Sequence, residues 1–328
     1  MTGYAYERAA TPEQAVRRAR QPGAAFVAGG TNLLDLIKVG VERPALLIDI
    51  GRLPLAGIEP APDGGVVIGA LARNSDVARH PLVRERYPLL SQALLAGASA
   101  QLRNMATMGG NLLQRTRCYY FYDPAFERCN KRAPGSGCAA LDGINRIHAI
   151  LGASEHCIAV NPSDMNVALA ALRATIRIAG MDGERRIPVS DLHRLPGERP
   201  QQDTTLAPGE LITAIELPPQ GYAAHSCYLK VRERASYAFA LVSVAAGLEL
   251  RDGKVRSAAL ALGGVAHKPW QAEAAERALA GRGLDEAAID EAAEAAVRGA
   301  SPYAHNAYKI PLAQRAVARA LRRAGGME

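Results

Sequence analysis

The chain has 328 residues, 48% of them hydrophobic and 22% charged, which is enough to bury two sizeable cores. It contains no run of about eighteen apolar residues to span a bilayer. Its net charge of +7 is scattered and not gathered into a basic block interleaved with aromatics, which argues against a nucleic-acid groove and suits a surface that docks an acidic subunit or attracts anionic cofactors.

The opening "MTGYAYERAATPEQAV" has neither a basic stretch followed by an apolar one nor a twin arginine, so the expected location is the cytoplasm unless a partner carries the chain elsewhere. Thr11, Pro12 and Gln14 fit the N-cap, N1 and N3 positions of a capping box, and "QPG" at 21–23 stops that helix. A strand "AAFVAGG", a short helix "NLLDLIKVG" and strands "ALLIDI" (45–50) and "GGVVIGAL" (64–71) follow. From Asn74 to Ser99 the apolar period is helical, broken once at Tyr87-Pro88.

Residues 103–161 lose that period to Gly, Asn, Arg and four cysteines and read as a long functional loop. Another helix follows "NPSD" (161–164), and "TIRIAGMDGERRIPV" reads as a hairpin turning on Asp182-Gly183. After a boundary near 218–222, antiparallel strands turn at Asp252-Gly253. Two Ala-rich helical segments close the chain, around 271–300 and 311–324.

Two glycine loops carry the first chemical signal. "VAGGTNLL" (27–34) leaves a strand and enters a helix, and "RNMATMGGNLL" (103–113) sets Thr107, Asn104 and Asn111 beside Gly109 and Gly110. Both suit phosphate, because glycine lets an anion approach backbone N–H groups. Neither is a Rossmann fingerprint or a P-loop. A pyrophosphate lying between them, as in a dinucleotide such as FAD, fits both.

Five cysteines without a signal peptide point to free thiols, metal ligation or redox chemistry rather than a disulfide framework. Cys118, Cys129, Cys138 and Cys157 have the spacing C-x10-C-x8-C-x18-C, which lacks the C-x2-C knuckle of common zinc sites. An iron–sulfur cluster, a zinc site and unliganded thiols all remain open from spacing. Arg115, Arg117, Arg128, Lys131 and Arg132 lie near enough in sequence to offset residual negative charge. Cys227, in an apolar strand, reads as an inert buried thiol, and His156 as a surface or supporting histidine. Tyr119, Tyr120, Phe121 and Tyr122 read as a shield against water, and Trp270 as packing at the domain junction.

"VAGGTNLLDLIK", "RNMATMGGNLLQ", "NPSDMNVALAAL" and "LKVRERASYAFALVSVA" together resemble the FAD-binding subunits of the molybdenum hydroxylases, the group of xanthine dehydrogenase, carbon monoxide dehydrogenase and bacterial aldehyde oxidoreductases. The insertion "QRTRCYYFYD…CNKRAPGSGCAA…HCIAVNPSDM" is similar to that of periplasmic aldehyde oxidoreductase flavin subunits, which hold an additional 4Fe–4S cluster.

The resemblance implies an α+β fold: a two-part FAD-binding domain of the vanillyl-alcohol-oxidase type over 1–220, then a domain of the CO dehydrogenase flavoprotein type over 221–328 with a three-stranded antiparallel sheet and helices. The first domain would divide near 55 and carry the cluster insertion at about 114–158. Ala28, Gly29, Gly30, Thr31, Asn32, Leu33, Leu34 and Asp35 would form the pyrophosphate loop, and Thr107, Gly110 and Asn111 the second phosphate contact. Asp164 would bond a polar group of the flavin or ribose, Lys230 would stand by the isoalloxazine ring, and Cys118, Cys129, Cys138 and Cys157 would ligate the cluster.

The function implied is an oxidoreductase subunit. It would pass electrons from aldehyde oxidation at a large molybdenum-cofactor subunit, through a small 2Fe–2S subunit, to an external acceptor in a heterotrimer. Co-export with a partner would place it in the periplasm. A 4-hydroxybenzoyl-CoA-reductase-like or xanthine-dehydrogenase-like subunit is the alternative within redox enzymes, and a zinc-stabilised nucleotide-binding scaffold the alternative outside them.

Overall fold

The computed structural model describes residues 3–328. Strands β1 (Ala5–Arg8), β2 (Ala24–Val27) and β3 (Leu46–Asp49) form a parallel sheet in the order β1-β3-β2. Parallel neighbours need crossovers, and helices Pro12–Ala19 and Leu33–Lys38 supply them. Thr11 caps the first helix by accepting from the Gln14 N–H. The Gln14 amide reaches back to the Ala10 N–H at 2.7 Å, one residue before the N-cap where a strict capping box would place it.

Strands β4 (Ile58–Pro60), β5 (Val66–Gly69), β6 (Thr175–Gly180), β7 (Gly183–Pro188) and β8 (Leu211–Leu217) form an antiparallel sheet in the order β4-β5-β8-β6-β7. Its apolar face packs with helices Asn74–Arg79, Pro88–Ala96 and Asp164–Ala171 in one core, where Val77, Leu90, Leu169, Ile176 and Ile215 are fully buried. The helical run from residue 74 breaks twice, since Pro81 as well as Pro88 drives the residue before it out of the helical region. The β6–β7 register pairs Gly180 with Gly183, so the hairpin loop is Met181-Asp182, one position earlier than expected.

Strands β9 (Ser226–Val231), β10 (Val242–Arg251), β11 (Lys254–Gly263) and β12 (Trp270–Gln271) form the third sheet, in the order β12-β11-β10-β9. The three long strands are those expected, and β12 adds a two-residue edge. Asp252 and Gly253, at φ 51° and 74°, make the left-handed pair that a two-residue hairpin of this twist requires. Along β10, Val242, Val244, Ala246 and Leu248 enter a core with the C-terminal helices, while Ala245 joins the core around helix Asp164–Ala171. A single strand thereby ties the two cores together.

The Ala-rich tail forms three helices instead of two, Glu273–Leu279, Glu286–Ala296 and Lys309–Ala324. Asp285 opens the second by accepting from the Ala288 N–H at 2.8 Å, and this cap divides the first expected segment. Trp270 is half-buried against the C-terminal core. Among the described residues no helix is long and apolar enough to cross a membrane.

Residues 103–161 are more structured than a loop. They include helices Met108–Leu112, Tyr119–Tyr122 and Ala139–Asp142, and the end of Ala100–Met105. The cysteine segment has a small core of its own, in which Phe121, Ala140 and Ile158 pack with Leu36 and Val41 from the β2–β3 crossover. It is seated directly on the first glycine loop's helix.

Candidate cofactor cleft and cysteine cluster

The loop after β2 is shaped by contact with a second loop. A Cβ at Gly29 would stand 1.9 Å from the Met105 carbonyl oxygen, so the two backbones meet where only glycine fits. Gly30 has φ +71°, and its carbonyl accepts from the Leu34 N–H at 3.1 Å to start the helix. The second glycine loop is held on β5's exit by Gly109 N–H to Ala70 O (2.8 Å) and Met108 N–H to Ala72 O (3.0 Å). Thr107 caps that turn by accepting from the Gly110 N–H at 3.2 Å.

Between these loops and β9 lies a cleft of about 560 Å³. Gly29, Gly30, Thr31, Asn32, Leu34 and Asp35 line one wall, with Gly110 and Asn111 beside them and Asp164 and Lys230 also on the lining. Ala28, Leu33 and Thr107 line an adjoining hollow of about 230 Å³, which shares Gly29–Asn32 and Gly110 with the cleft. Of the thirteen residues expected at the cofactor, ten line the cleft and the other three line the adjoining hollow.

Asp164 and Lys230 form a buried ion pair at 2.7 Å, their side chains 8% and 4% exposed. The Tyr228 hydroxyl donates to the other Asp164 oxygen at 2.7 Å, and Lys230 also donates to Ala96 O at 3.1 Å. Burial, and then the charge of Asp164, raise the Tyr228 phenol well above its ordinary value, so it stays a donor. Lys230, expected as a cation beside a ring, lies on the cleft lining and is paired with Asp164, which with Ala96 O leaves at most one ammonium proton for a ligand.

Several lining residues were not singled out from the sequence. Gly97 comes from the turn after helix Pro88–Ala96, Leu102, Arg103 and Met105 from helix Ala100–Met105, and Tyr237 and Phe239 from the link between β9 and β10. Antiparallel strands were expected here, with no turn placed between the first two. Tyr237 interrupts the link at φ 51° with a side chain largely in solvent, and the exposed aromatics of "SYAF" are the signal that could have marked a cleft-side loop.

Cys118, Cys129 and Cys157 are buried and Cys138 half-buried, all in the core of the insertion. Cys129 and Cys138 pair across an isolated antiparallel bridge. Burial pushes the Cys118 thiol up to about 12, and Cys157 and Cys129 add to the effect; burial pushes Cys157 up to about 11 against the pull of Lys131. Bare thiols here would hold their protons. Among the described residues no three His, Cys, Asp or Glu side chains converge on a single ion position. Cys227 lies apart in β9, buried, its thiol raised by burial.

His148 sits in the cysteine core with Nε2 3.1 Å from Cys118 Sγ, a contact that no local sequence pattern announced. His156, beside Cys157 in sequence, is 39% exposed and faces Glu155. Phe121 is fully buried, whereas Tyr119 is about half exposed and covers little.

The basic residues of the insertion are mostly taken by the protein's own acids. Arg115 pairs with Glu42 and Asp203, Lys131 with Asp203, Arg117 with Asp35 and Arg128 with Asp142, while Arg132 donates to the Tyr120 and Phe126 carbonyls. Asn32 joins the glycine loop to the insertion by accepting from the Arg115 N–H at 2.9 Å and donating to the Tyr122 hydroxyl at 3.3 Å.

Asp203 is the centre of a buried cluster with Lys131, Arg115 and His267. Burial would raise its carboxyl, but the three cationic or ionisable neighbours outweigh it and hold it at about 2. Burial, then Lys131, push the His267 imidazole down to about 4. Both folded values lie below the unfolded ones, so the unfolded chain binds more protons and stability falls as pH falls, from 6.5 to 4 for His267 and from 3.8 to 2 for Asp203. His267 should therefore contribute about 3 kcal/mol to the loss seen in denaturant titrations over the upper window, by the linkage relation, beside His148 and His193, whose imidazoles burial also lowers. His267→Asn should reduce that slope without abolishing it; an unchanged slope would remove His267 as a source.

The family description "FAD binding domain in molybdopterin dehydrogenase" matches residues 2–220, and "CO dehydrogenase flavoprotein C-terminal domain" matches 227–324. The chain is 52% identical over 327 residues to the aldehyde oxidoreductase FAD-binding subunit PaoB of Escherichia coli (strain K12), covering 98% of each. It is 30% identical to the glyceraldehyde dehydrogenase medium chain of Sulfolobus acidocaldarius, over 79% of this chain and 74% of that one. Among solved structures, carbon monoxide dehydrogenase from Hydrogenophaga pseudoflava aligns with a TM-score of 0.78 at 27% identity, covering 99% of this chain and 98% of that chain.

Proposed function

This chain belongs to the FAD-binding medium subunits of the molybdenum hydroxylases, and from that premise we propose that it is the FAD and 4Fe–4S electron-transfer subunit of a heterotrimeric molybdenum aldehyde oxidoreductase. Electrons from aldehyde oxidation to carboxylate at a large molybdenum-cofactor subunit reach it through a small 2Fe–2S subunit, and it passes them to an external acceptor. The observation that carries the aldehyde assignment is the end-to-end likeness to the aldehyde oxidoreductase FAD-binding subunit. Co-export with a signal-bearing partner places the complex in the periplasm; fractionation that finds the assembled complex in the cytoplasm would overturn this.

The cleft fits FAD in volume, since cofactor sites run about 300–1,000 Å³, and in chemistry, with glycine backbone at one wall and a buried ion pair on the lining. Gly29 to Asn32 would hold the pyrophosphate, Asp164 and Lys230 would orient polar edges of the flavin, and the Tyr237–Phe239 loop would limit water. The cysteines suit a cluster in number and placement: Cys118, Cys129 and Cys157 are buried and Cys138 half-buried in one small core, and a 4Fe–4S cluster takes one thiolate per iron. Iron would displace the protons that burial otherwise keeps on Cys118 and Cys157. Bound FAD supplies one- and two-electron exchange. The chain's own share is to hold, orient and shield.

Anaerobic purification should yield one FAD with roughly four iron and four sulfide per chain. Zinc without iron or flavin would overturn the cofactor assignment. The assembled complex should oxidise aldehydes, and turnover of aldehyde by the isolated chain would exclude the division of labour described.

A further inference from the structure

His148 lies in the stretch between helix Ala139–Asp142 and Cys157, 1% exposed, with Nε2 3.1 Å from Cys118 Sγ. Its place is fixed by backbone contacts at some distance in sequence. The His148 carbonyl accepts from Lys309 Nζ at 2.9 Å and from Asn306 Nδ2 at 3.3 Å, and both of those residues are fully buried. Asn306 also donates to Ala149 O at 3.0 Å, and Lys309 to Ile147 O at 3.3 Å and to Gly264 O. The His148 N–H in turn donates to Asn145 O at 3.0 Å. The entry to the last helix thus clamps residues 147–149 and aims the ring at the sulfur.

The ring's other nitrogen decides what that contact is. Among the described residues Nδ1 is buried without a hydrogen-bond partner, so Cys118 Sγ is the imidazole's hydrogen-bonding neighbour. A neutral imidazole has one N–H to place. A ligating thiolate can only accept, and putting the proton on Nδ1 would bury an unsatisfied donor while turning the Nε2 lone pair toward a negative sulfur. The proton belongs on Nε2.

We propose that His148 is a positioning residue that donates an N–H···S hydrogen bond to Cys118 and so raises the reduction potential of the iron–sulfur cluster held by the four cysteines. The inference rests on the cluster assignment made above. Hydrogen bonds to cluster sulfurs are among the levers that set cluster potential, because they draw charge from the sulfur and favour the more negative, reduced state. The His156 ring, half-buried and turned to Glu155, makes no such contact among the described residues.

The test uses the full chain purified anaerobically, with iron, sulfide and flavin counted first, then a redox titration followed by EPR and visible absorbance on wild type, His148→Leu and His148→Gln. The expected result is a loaded wild type, a loaded His148→Leu whose cluster potential moves in the negative direction, and a His148→Gln nearer wild type because its amide still donates. Equal potentials in wild type and His148→Leu would overturn the proposal with the cluster assignment intact. A wild type without iron would overturn that assignment itself. If His148→Leu fails to load, His148→Gln decides: a cluster near the wild-type potential supports the donor role, and a shifted or absent cluster overturns it.

Discussion

Replacing Gly29 by alanine is expected to empty the flavin cleft. The new Cβ would lie 1.9 Å from the Met105 carbonyl oxygen and 3.3 Å from Ala106 Cα, so the atoms in the way are backbone, with no flexible side-chain end to move aside. Relieving the contact must separate the two loops that line the cleft. Overpacking of this kind costs about 1–3 kcal/mol or more, and each 1.4 kcal/mol lost from binding is about tenfold in affinity. FAD affinity should fall by roughly fivefold to a hundredfold on this conversion, read by flavin titration of the two proteins, with less flavin retained per chain after gel filtration and a lowered melting midpoint. Gly110→Ala is the comparison: its Cβ would meet only the Thr107 hydroxyl at 3.0 Å, a group that can turn. Full flavin content in Gly29→Ala would mean that the two loops are not in rigid contact.

Removing Lys230 should destabilise the fold as well as the site. With both side chains buried, Lys230→Met strands the Asp164 carboxylate beside an apolar side chain. Breaking a buried pair from one side typically costs about 3–5 kcal/mol. The double variant Asp164→Asn with Lys230→Met removes the stranded charge and leaves a carbonyl for the Tyr228 hydroxyl, so it should recover most of the loss. Denaturant midpoints of the four proteins close the cycle, and flavin content read alongside separates stability from binding. If Lys230→Met weakens flavin binding with no change in midpoint, Lys230 acts as a cation toward the ligand and not as half of a pair.

What local sequence determined about this protein is what local physics decides. Thr11 and Gln14 mark a helix start because a cap is satisfied within four residues, and Asp252-Gly253 marks a hairpin because both residues tolerate left-handed backbone. The glycine loops and the "NPSD" helix were legible for a related reason: close backbone approach and helix capping restrict residue type at fixed spacing; the cysteine spacing left its chemistry open, and these strings together are what the family resemblance was built on. Where local rules compete, as at Pro81 and in the Met181-Asp182 turn, boundaries moved by one element or one residue.

The tertiary structure alone decided the partners. Lys230 and Asp164 are 66 positions apart, and only the packing of helix Asp164–Ala171 against the third sheet turns two separate expectations into one buried pair. Arg115 and Lys131, expected to offset negative charge among the cysteines, are paired with Asp203 for the same reason. His148 reached Cys118 because residues 306–309 grip its backbone from the far end of the chain. Burial and charge pairing depend on which surfaces meet, and that is set by how the sheets and helices stack, a quantity no spacing along the chain encodes.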